Sequence, residues 1–268
     1  MSNSSETDPM DMLAWSSFLG GCPSALQTEL GLSVERRHGA LALFASGVDS
    51  LLLNRIFDVD RLSEEQAREL LADYAGRGIE RLYAHAPEER LTDQSMRVLQ
   101  AAGLEQYHRR WIELVRGPGP VMQTRTDLVL REAGPEHATG FAEVLSAGFD
   151  MPSSARPLCR TLIGRAGFHT FVALDGDRVV AGGTLFVADH RACLLGAATA
   201  PDYRGRGAQK ALLNRRLTRA FELGCRSVSS ETGEAVPGER NPSYENLIRY
   251  GFEPVGVRVN FVRPGTRW

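Results

Sequence analysis

The chain has 268 residues, 43% of them hydrophobic and 24% charged, with a formal net charge of -2. That length suits two domains of ordinary size, with apolar material for a core in each. The near-balance of charge argues against a general nucleic-acid binder, and no apolar run approaches the roughly 20 residues of a membrane span.

Residues 1–11 are rich in Ser and acid and lack the basic-then-apolar order of a signal peptide, so they read as a short disordered leader on a cytoplasmic protein. A first α/β domain is expected over 12–117. Its predicted strands are 40–45 and 50–57. Ser63, followed by Glu64 and Glu65, starts a helix that places acids at the positive end of the dipole, and Gly76 to Gly78 ends it. A short strand at 82–85, a helix capped by Thr92 and stopped by Gly103, and a strand at 111–115 complete the segment. Cys22, Cys159, Cys193 and Cys225 are far apart and read as small buried residues, so neither a metal site nor a disulfide framework is expected. Gly117-Pro118-Gly119-Pro120 can continue neither helix nor strand. It marks a domain boundary, with a tight turn inside one domain as the alternative.

A second domain is expected over 126–264. It begins with a strand at 127–131 and an amphipathic helix at 135–147 that puts Ala138, Phe141, Val144 and Leu145 on one side. A further helix is predicted from Ser153 to about 163. Three strands follow at 170–174, 179–187 and 192–199, turned by Asp175-Gly176-Asp177 and by Asp189-His190-Arg191, where His190 is expected to be solvated.

Next comes Pro201-Asp202-Tyr203-Arg204-Gly205-Arg206-Gly207-Ala208-Gln209-Lys210, between a strand and a helix whose stripe is Leu213, Leu217, Ala220 and Phe221. The first turn of a helix has N–H groups without intrahelical partners and a partial positive charge. Gly205 and Gly207 let an anion approach the backbone, and Arg204, Arg206 and Lys210 add full charges. Together they read as a pyrophosphate cradle, with a tight strand-to-helix turn as the alternative. Arg215 and Arg216 either meet another phosphate or lie in solvent. The spacing is neither that of a P-loop nor that of a dinucleotide fingerprint.

Arg204-Gly205-Arg206-Gly207-Ala208 resembles the acetyl-CoA signature of the GNAT acetyltransferase superfamily, Gln/Arg-x-x-Gly-x-Gly/Ala. Arg204 and Gly207 match the first and fourth positions; the sixth is Gln209. Thr199-x-Pro201-x-Tyr203 is similar to the family's approach to this loop. Ser243-Tyr244-Glu245-Asn246 and Arg249-Tyr250-Gly251-Phe252-Glu253-Pro254 resemble its last helix and the Gly-Phe turn before a final strand, here 256–262. The resemblance covers 127–262 and implies a mixed, mostly antiparallel sheet flanked by helices, α/β in the α+β sense. The element order of 40–115 resembles the later part of the same fold, which implies a tandem. Asp58-Val59-Asp60 replaces the basic turn there, so this half is expected to be a degenerate repeat without a CoA site; an unrelated α/β domain is the rival.

The resemblance also implies roles. The backbone of Ala197, Ala198 and Thr199 would pair with the pantetheine arm. Arg204, Gly205, Arg206, Gly207, Ala208, Gln209 and Lys210 would hold the pyrophosphate of acetyl-CoA, the acyl donor. Asn246 would contact it or lie on the helix surface. The family attacks directly and often places a Tyr, as acid for the leaving thiolate, where this chain has Leu247. Tyr244, one turn earlier, is the expected replacement, with a packing aromatic as the alternative; Tyr250 also lies nearby. Glu231, near the end of the strand after the cradle helix, is a candidate base and Glu234 a second, with a surface or capping role as the alternative for each. The implied reaction is acetyl transfer to a small-molecule or peptide amine whose pocket involves 149–162. A non-catalytic acyl-CoA sensor and a nucleotide-binding protein are the other readings. No membrane or nucleic-acid partner is expected, and a monomer is expected ahead of a dimer.

Overall fold

The structure is a computed structural model and describes residues 9–236 and 238–266. Its elements up to the Gly-Pro segment are α1 (Met10–Gly20), α2 (Ser24–Leu30), β1 (Leu32–Arg37), β2 (Ala40–Ala45), β3 (Arg55–Phe57), α3 (Glu64–Gly76), β4 (Tyr83–Pro87), α4 (Asp93–Ala101), β5 (Glu105–Gln106) and β6 (Trp111–Arg116). Beyond it come β7 (Val129–Glu132), α5 (Ala138–Gly148), α6 (Arg156–Arg160), β8 (Phe168–Asp175), β9 (Arg178–Ala188) and β10 (Arg191–Thr199), then α7 (Ala208–Glu222), β11 (Ser227–Gly233), α8 (Pro242–Arg249) and β12 (Glu253–Val262). The architecture is mixed α and β, with largely antiparallel sheet and flanking helices.

The chain forms two compact units. The first comprises Trp15–Glu113, Thr232–Tyr244 and the chain from Pro254 onward; the second comprises Leu114–Glu231 and Glu245–Glu253, with the chain up to Ala14. The Gly-Pro segment is thus not the whole boundary. The last strand, expected in the second domain, pairs antiparallel with β4, from Arg258↔Pro87 to Phe261↔Ala84.

In the first unit β1 and β2 form an antiparallel hairpin, β2 pairs with β3, and β3 runs parallel to β4 after the α3 crossover. Ser63 caps α3 as its sequence requires: its hydroxyl accepts from the Gln66 N–H at 3.2 Å, and the Gln66 side chain returns to the Ser63 N–H at 2.9 Å. Leu70, Leu71 and Tyr74 of α3 pack on Phe44, Ile56 and Leu82. The Tyr74 hydroxyl lies 2.9 Å from the Leu43 carbonyl and 2.8 Å from that of Arg55, sharing its proton between them.

Three expectations change here. The strand at 50–57 shrinks to Arg55–Phe57 because polar side chains satisfy the backbone before it. Asn54 accepts from the Ala45 N–H at 2.8 Å and donates to the Val48 and Ser50 carbonyls, stabilising a turn. The leader is shorter than expected: Met10 and Asp11 are buried at the start of α1, while residues 1–8 lie outside the described residues. Strand β1 has only Leu32 and Val34 as apolar residues; its Glu35 is paired with Arg77 at 2.8 Å, a signal that sequence alternation does not carry.

In the second unit β8, β9 and β10 form an antiparallel meander, β7 joins β8, and β11 runs parallel to β10. Helix α5 covers one face so closely that glycines are needed. A Cβ at Gly182 would come within 2.5 Å of the Phe141 ring, and one at Gly148 within 2.4 Å of the Ala198 side chain. The helix expected over 153–163 is a single tight turn at Ser153–Ala155 followed by the short α6.

Candidate functional site

Strand β10 is paired on its two edges to different extents. Toward β9 it is paired as far as Thr199↔Ala181, with a register break between Leu195 and Ala197 where Gly196 adopts φ +52°. Toward β11 the pairing runs only through Arg191↔Ser227, Ala192↔Val228 and Cys193↔Ser229. Residues 194–199 therefore have no strand partner on that side among the described residues. Ala197, Ala198 and Thr199, with small side chains, lie on this unpaired stretch.

The chain then passes a single turn at Pro201–Tyr203 and reaches α7 through Gly205 at φ +83° and Gly207 at φ +82°. The two glycines serve different ends. A Cβ at Gly207 would lie 2.7 Å from the Arg125 carbonyl, so the bare backbone is required by packing. Around Gly205 an added Cβ would meet nothing within 4 Å, so the turn is open there. Gly207 caps α7 without a side chain, leaving the first-turn N–H groups, Ala208 and Gln209 included, without intrahelical acceptors.

Arg206 is not one of the cradle's available charges. Its guanidinium pairs with Asp127 and, at 3.3 Å, with Asp175, and stands 5.1 Å over the Tyr203 ring. Its carbonyl accepts the Thr126 hydroxyl at 2.8 Å. Arg206 thus pins the turn, leaving Arg204, exposed, and Lys210, half-buried, as the full charges beside it.

Asn246 of α8 is buried and donates to the Gln209 side-chain oxygen at 3.0 Å, clamping α8 to the first turn of α7. Tyr250 is buried as well; its hydroxyl donates to the Lys210 carbonyl at 3.2 Å and meets the Thr124 hydroxyl. Leu247 is buried and brings no proton donor. Tyr244 is half-buried in the first turn of α8, with its N–H on Asn241 Oδ1 at 3.1 Å. Glu231 is half-buried on β11, two residues beyond the last residue paired with β10. Glu234 is held on both oxygens by Arg110, at 2.8 and 2.6 Å. His190 is exposed in a left-handed turn.

Arg216 departs most from expectation. Neither solvated nor near the turn, it is 4% exposed on the inner face of α7. Its Nε donates to the Leu212 carbonyl at 3.2 Å and its Nη1 to the Thr184 carbonyl at 3.3 Å. Burial pulls its pKa down to about 10. The signal was present: 216 follows Leu212 by four and Leu213 by three, which is the apolar face.

The corresponding strand of the first unit is arranged otherwise. β3 is paired with β4 over its whole length, Arg55↔Tyr83 to Phe57↔His85, and Asp58 and Asp60 follow at once, both paired with Arg90. Among the described residues no open strand edge and no cationic turn precede α3. Among the described residues no cluster of three His, Cys, Asp or Glu is placed to hold a metal, and no helix is long and apolar enough to cross a membrane.

Residues 140–240 match the acetyltransferase (GNAT) family, and a GNAT domain occupies that stretch. No curated protein matches the chain. Among solved structures, a GCN5-related N-acetyltransferase from Kribbella flavida is similar at TM-score 0.65 and 17% identity, over 95% of this chain and 96% of that one. A GCN5-related N-acetyltransferase from Sphaerobacter thermophilus is similar at TM-score 0.62 and 15% identity, over 97% and 93%. A tandem GNAT protein from the clavulanic acid biosynthesis pathway is similar at TM-score 0.57 and 14% identity, over 97% and 95%. At these identities what is shared is the fold, and it is shared across nearly the full length.

Proposed function

We propose that the second unit binds acetyl-CoA or a close acyl-CoA and transfers the acyl group to an amine by direct attack. The observation that carries this reading is the unpaired edge of β10 at 194–199 leading straight into the Gly205–Gly207 turn at the start of α7. An amide-bearing arm can add to such an edge as a further strand. A pyrophosphate suits the first-turn N–H groups of α7 flanked by Arg204 and Lys210. Arg206, Gln209 and Asn246 act here by shaping the turn, since their side chains are bound to protein partners. The paired β3 edge and the acidic turn after it support a first unit without a CoA site.

In the reaction the amine loses a proton and attacks the thioester carbonyl. A C–N bond forms, the C–S bond breaks, and the thiolate takes up a proton. Glu231 is the candidate base, because it is half-buried on the strand end beyond the β10–β11 pairing. Tyr244, which belongs to the first unit, is the candidate acid on the resemblance alone; Leu247 has no acidic proton, and the Tyr250 hydroxyl is occupied inside the second unit. N–H groups on the open β10 edge would serve the oxyanion. Leu247 also favours a second reading, an acyl-CoA sensor that does no chemistry. The acceptor class, a metabolite or peptide amine, rests on the family alone.

The test is calorimetric titration of the full chain with acetyl-CoA, beside Arg204→Glu/Lys210→Glu. Both positions tolerate a polar side chain, and an acid in the first turn of α7 suits the helix dipole, so the variant folds. Wild type is expected to bind one acyl-CoA and the variant to bind at least tenfold more weakly. Release of free CoA on adding amines separates enzyme from sensor, and Tyr244→Phe then slows turnover by about 10²-fold with binding retained. No binding by wild type would remove the functional content of the turn.

A further inference from the structure

The buried arginine of α7 has no role in the reading above. Its surroundings are specific. Gly183 of β9 is opposed to Ala197 of β10, and a Cβ at Gly183 would stand 3.0 Å from both the Ala197 side chain and the Arg216 guanidinium carbon. Thr184, whose carbonyl takes Nη1, is opposed to Leu195. The guanidinium therefore lies against the sheet at the register break around Gly196, on the face opposite to α5, which packs Phe141 and Gly148 against Gly182 and Ala198.

Two of its nitrogens are bound to carbonyls. Nη2 bonds nothing among the described residues, and it is not among their fully sealed polar atoms. No carboxylate among them pairs with this cation. The buried Cys193 thiol also lies close enough to act on its charge. A guanidinium buried beside two carbonyls and a thiol, with no carboxylate among the described residues, retains most of its desolvation cost, and an anion with two oxygens is the partner that its planar fork fits. The absent side chain at Gly183 makes the space that the guanidinium occupies.

On the proposed reading, on which this inference rests, the pantetheine arm lies along 197–199 with its pyrophosphate at the α7 turn. The acyl group then continues toward 194–196, over the register break. A carboxylate one to three carbons beyond the thioester carbonyl would end at that point. We infer that Arg216 is a specificity-determining residue that receives the terminal carboxylate of the acyl group, so that the donor class is a short dicarboxylic acyl-CoA, with acetyl-CoA the weaker ligand. The opposite face of β10, covered by α5, is where the segment 149–162 begins, so the amine acceptor and the acyl carboxylate are drawn from different faces.

The experiment is calorimetric titration of the full chain with malonyl-, succinyl-, acetyl- and butyryl-CoA, using wild type, Arg216→Met and Arg216→Lys. In wild type malonyl- or succinyl-CoA binds at least tenfold more tightly than acetyl- and butyryl-CoA. Arg216→Met removes that preference while acetyl-CoA affinity changes less than threefold, which also shows that the variant is folded. Arg216→Lys keeps part of the preference. Equal affinity of wild type for charged and uncharged acyl groups overturns the inference and leaves the acyl-CoA reading standing; so does a preference that survives in Arg216→Met. Absence of binding by any of the four overturns both.

Discussion

His85 is fully buried on β4, with Nδ1 2.7 Å from Asn260 Oδ1. Asn260 Nδ2 donates to the Arg109 carbonyl at 2.7 Å, so Oδ1 is an acceptor and Nδ1 carries the proton. Nε2 is then a sealed lone pair with no hydrogen-bond partner among the described residues. Burial, reinforced by the nearby charges of Arg55 and Arg258, holds the His85 pKa well below the usual imidazole range. The sign of the consequence is fixed. The folded state refuses a proton that the unfolded chain accepts near pH 6.5, so the contribution of His85 is present above that pH and is lost as the pH falls below it. Urea midpoints at pH 7, 6 and 5 are expected to fall more steeply for wild type than for His85→Gln, which keeps an amide donor for Asn260 but does not titrate; parallel slopes would show that His85 protonates in the folded state. None of this was legible locally. The sequence places His85 at the end of a strand, but its partner lies 175 residues away, and only strand pairing brings the two together. Arg216 is the contrasting case, since its place on the apolar face of α7, three residues after Leu213 and four after Leu212, was in the spacing.

The turn into α7 was the most legible element, because glycines at a strand–helix junction and a strong apolar stripe are both local signals. Its start falls at Ala208 and its end at Glu222, before Gly224 at φ +75°. The sequence could not show which charges would be spent on holding the turn: the pairing of Arg206 with Asp127 and Asp175 joins residues dozens of positions apart. Nor could it show where β10 parts from β11, since that depends on register. The same geometry separates the two glycines by experiment. Gly205→Ala meets open space and bears the left-handed backbone cost alone, about 1–2 kcal/mol. Gly207→Ala adds a contact at 2.7 Å with the Arg125 carbonyl and is expected to cost distinctly more, beyond about 2 kcal/mol. Thermal or urea unfolding of the two variants checks the order, and equal losses would mean that the Arg125 backbone yields freely. A charged side chain at Gly207 would therefore confound folding with binding, and for that reason Arg204 and Lys210 are the better positions for probing the proposed anion site.

At the level of the whole chain, the tandem repeat of α/β order was readable in both halves, but the route of the last strand was not. Sequence order makes β12 look like the final strand of the second unit, following the Gly251-Phe252 turn. Backbone pairing instead builds it onto β4, with Asn260 bound to His85 and with Val259 and Phe261 in a core with Ile56, Tyr74, Leu82 and Leu99. A cut at the Gly-Pro segment would strip the first unit of that strand and expose the β4 edge. The stability of this unit must then depend on residues near the C-terminus. Phe261 is 1% exposed, and truncating such a ring costs about 3–5 kcal/mol, a large share of the roughly 5–15 kcal/mol that a domain has in total. Trp15 and Trp111 both lie in this unit, their rings 4.8 and 4.9 Å from the Arg55 guanidinium, so tryptophan fluorescence reports its unfolding. Phe261→Ala is expected to lower the urea midpoint of the fluorescence transition sharply while acyl-CoA affinity under native conditions stays within about threefold, because Phe261 is in the first unit and the open edge of β10 is in the second. An unchanged fluorescence midpoint would show that β12 contributes nothing to the first unit, whereas a parallel collapse of binding would show that the two units fold as a single cooperative body.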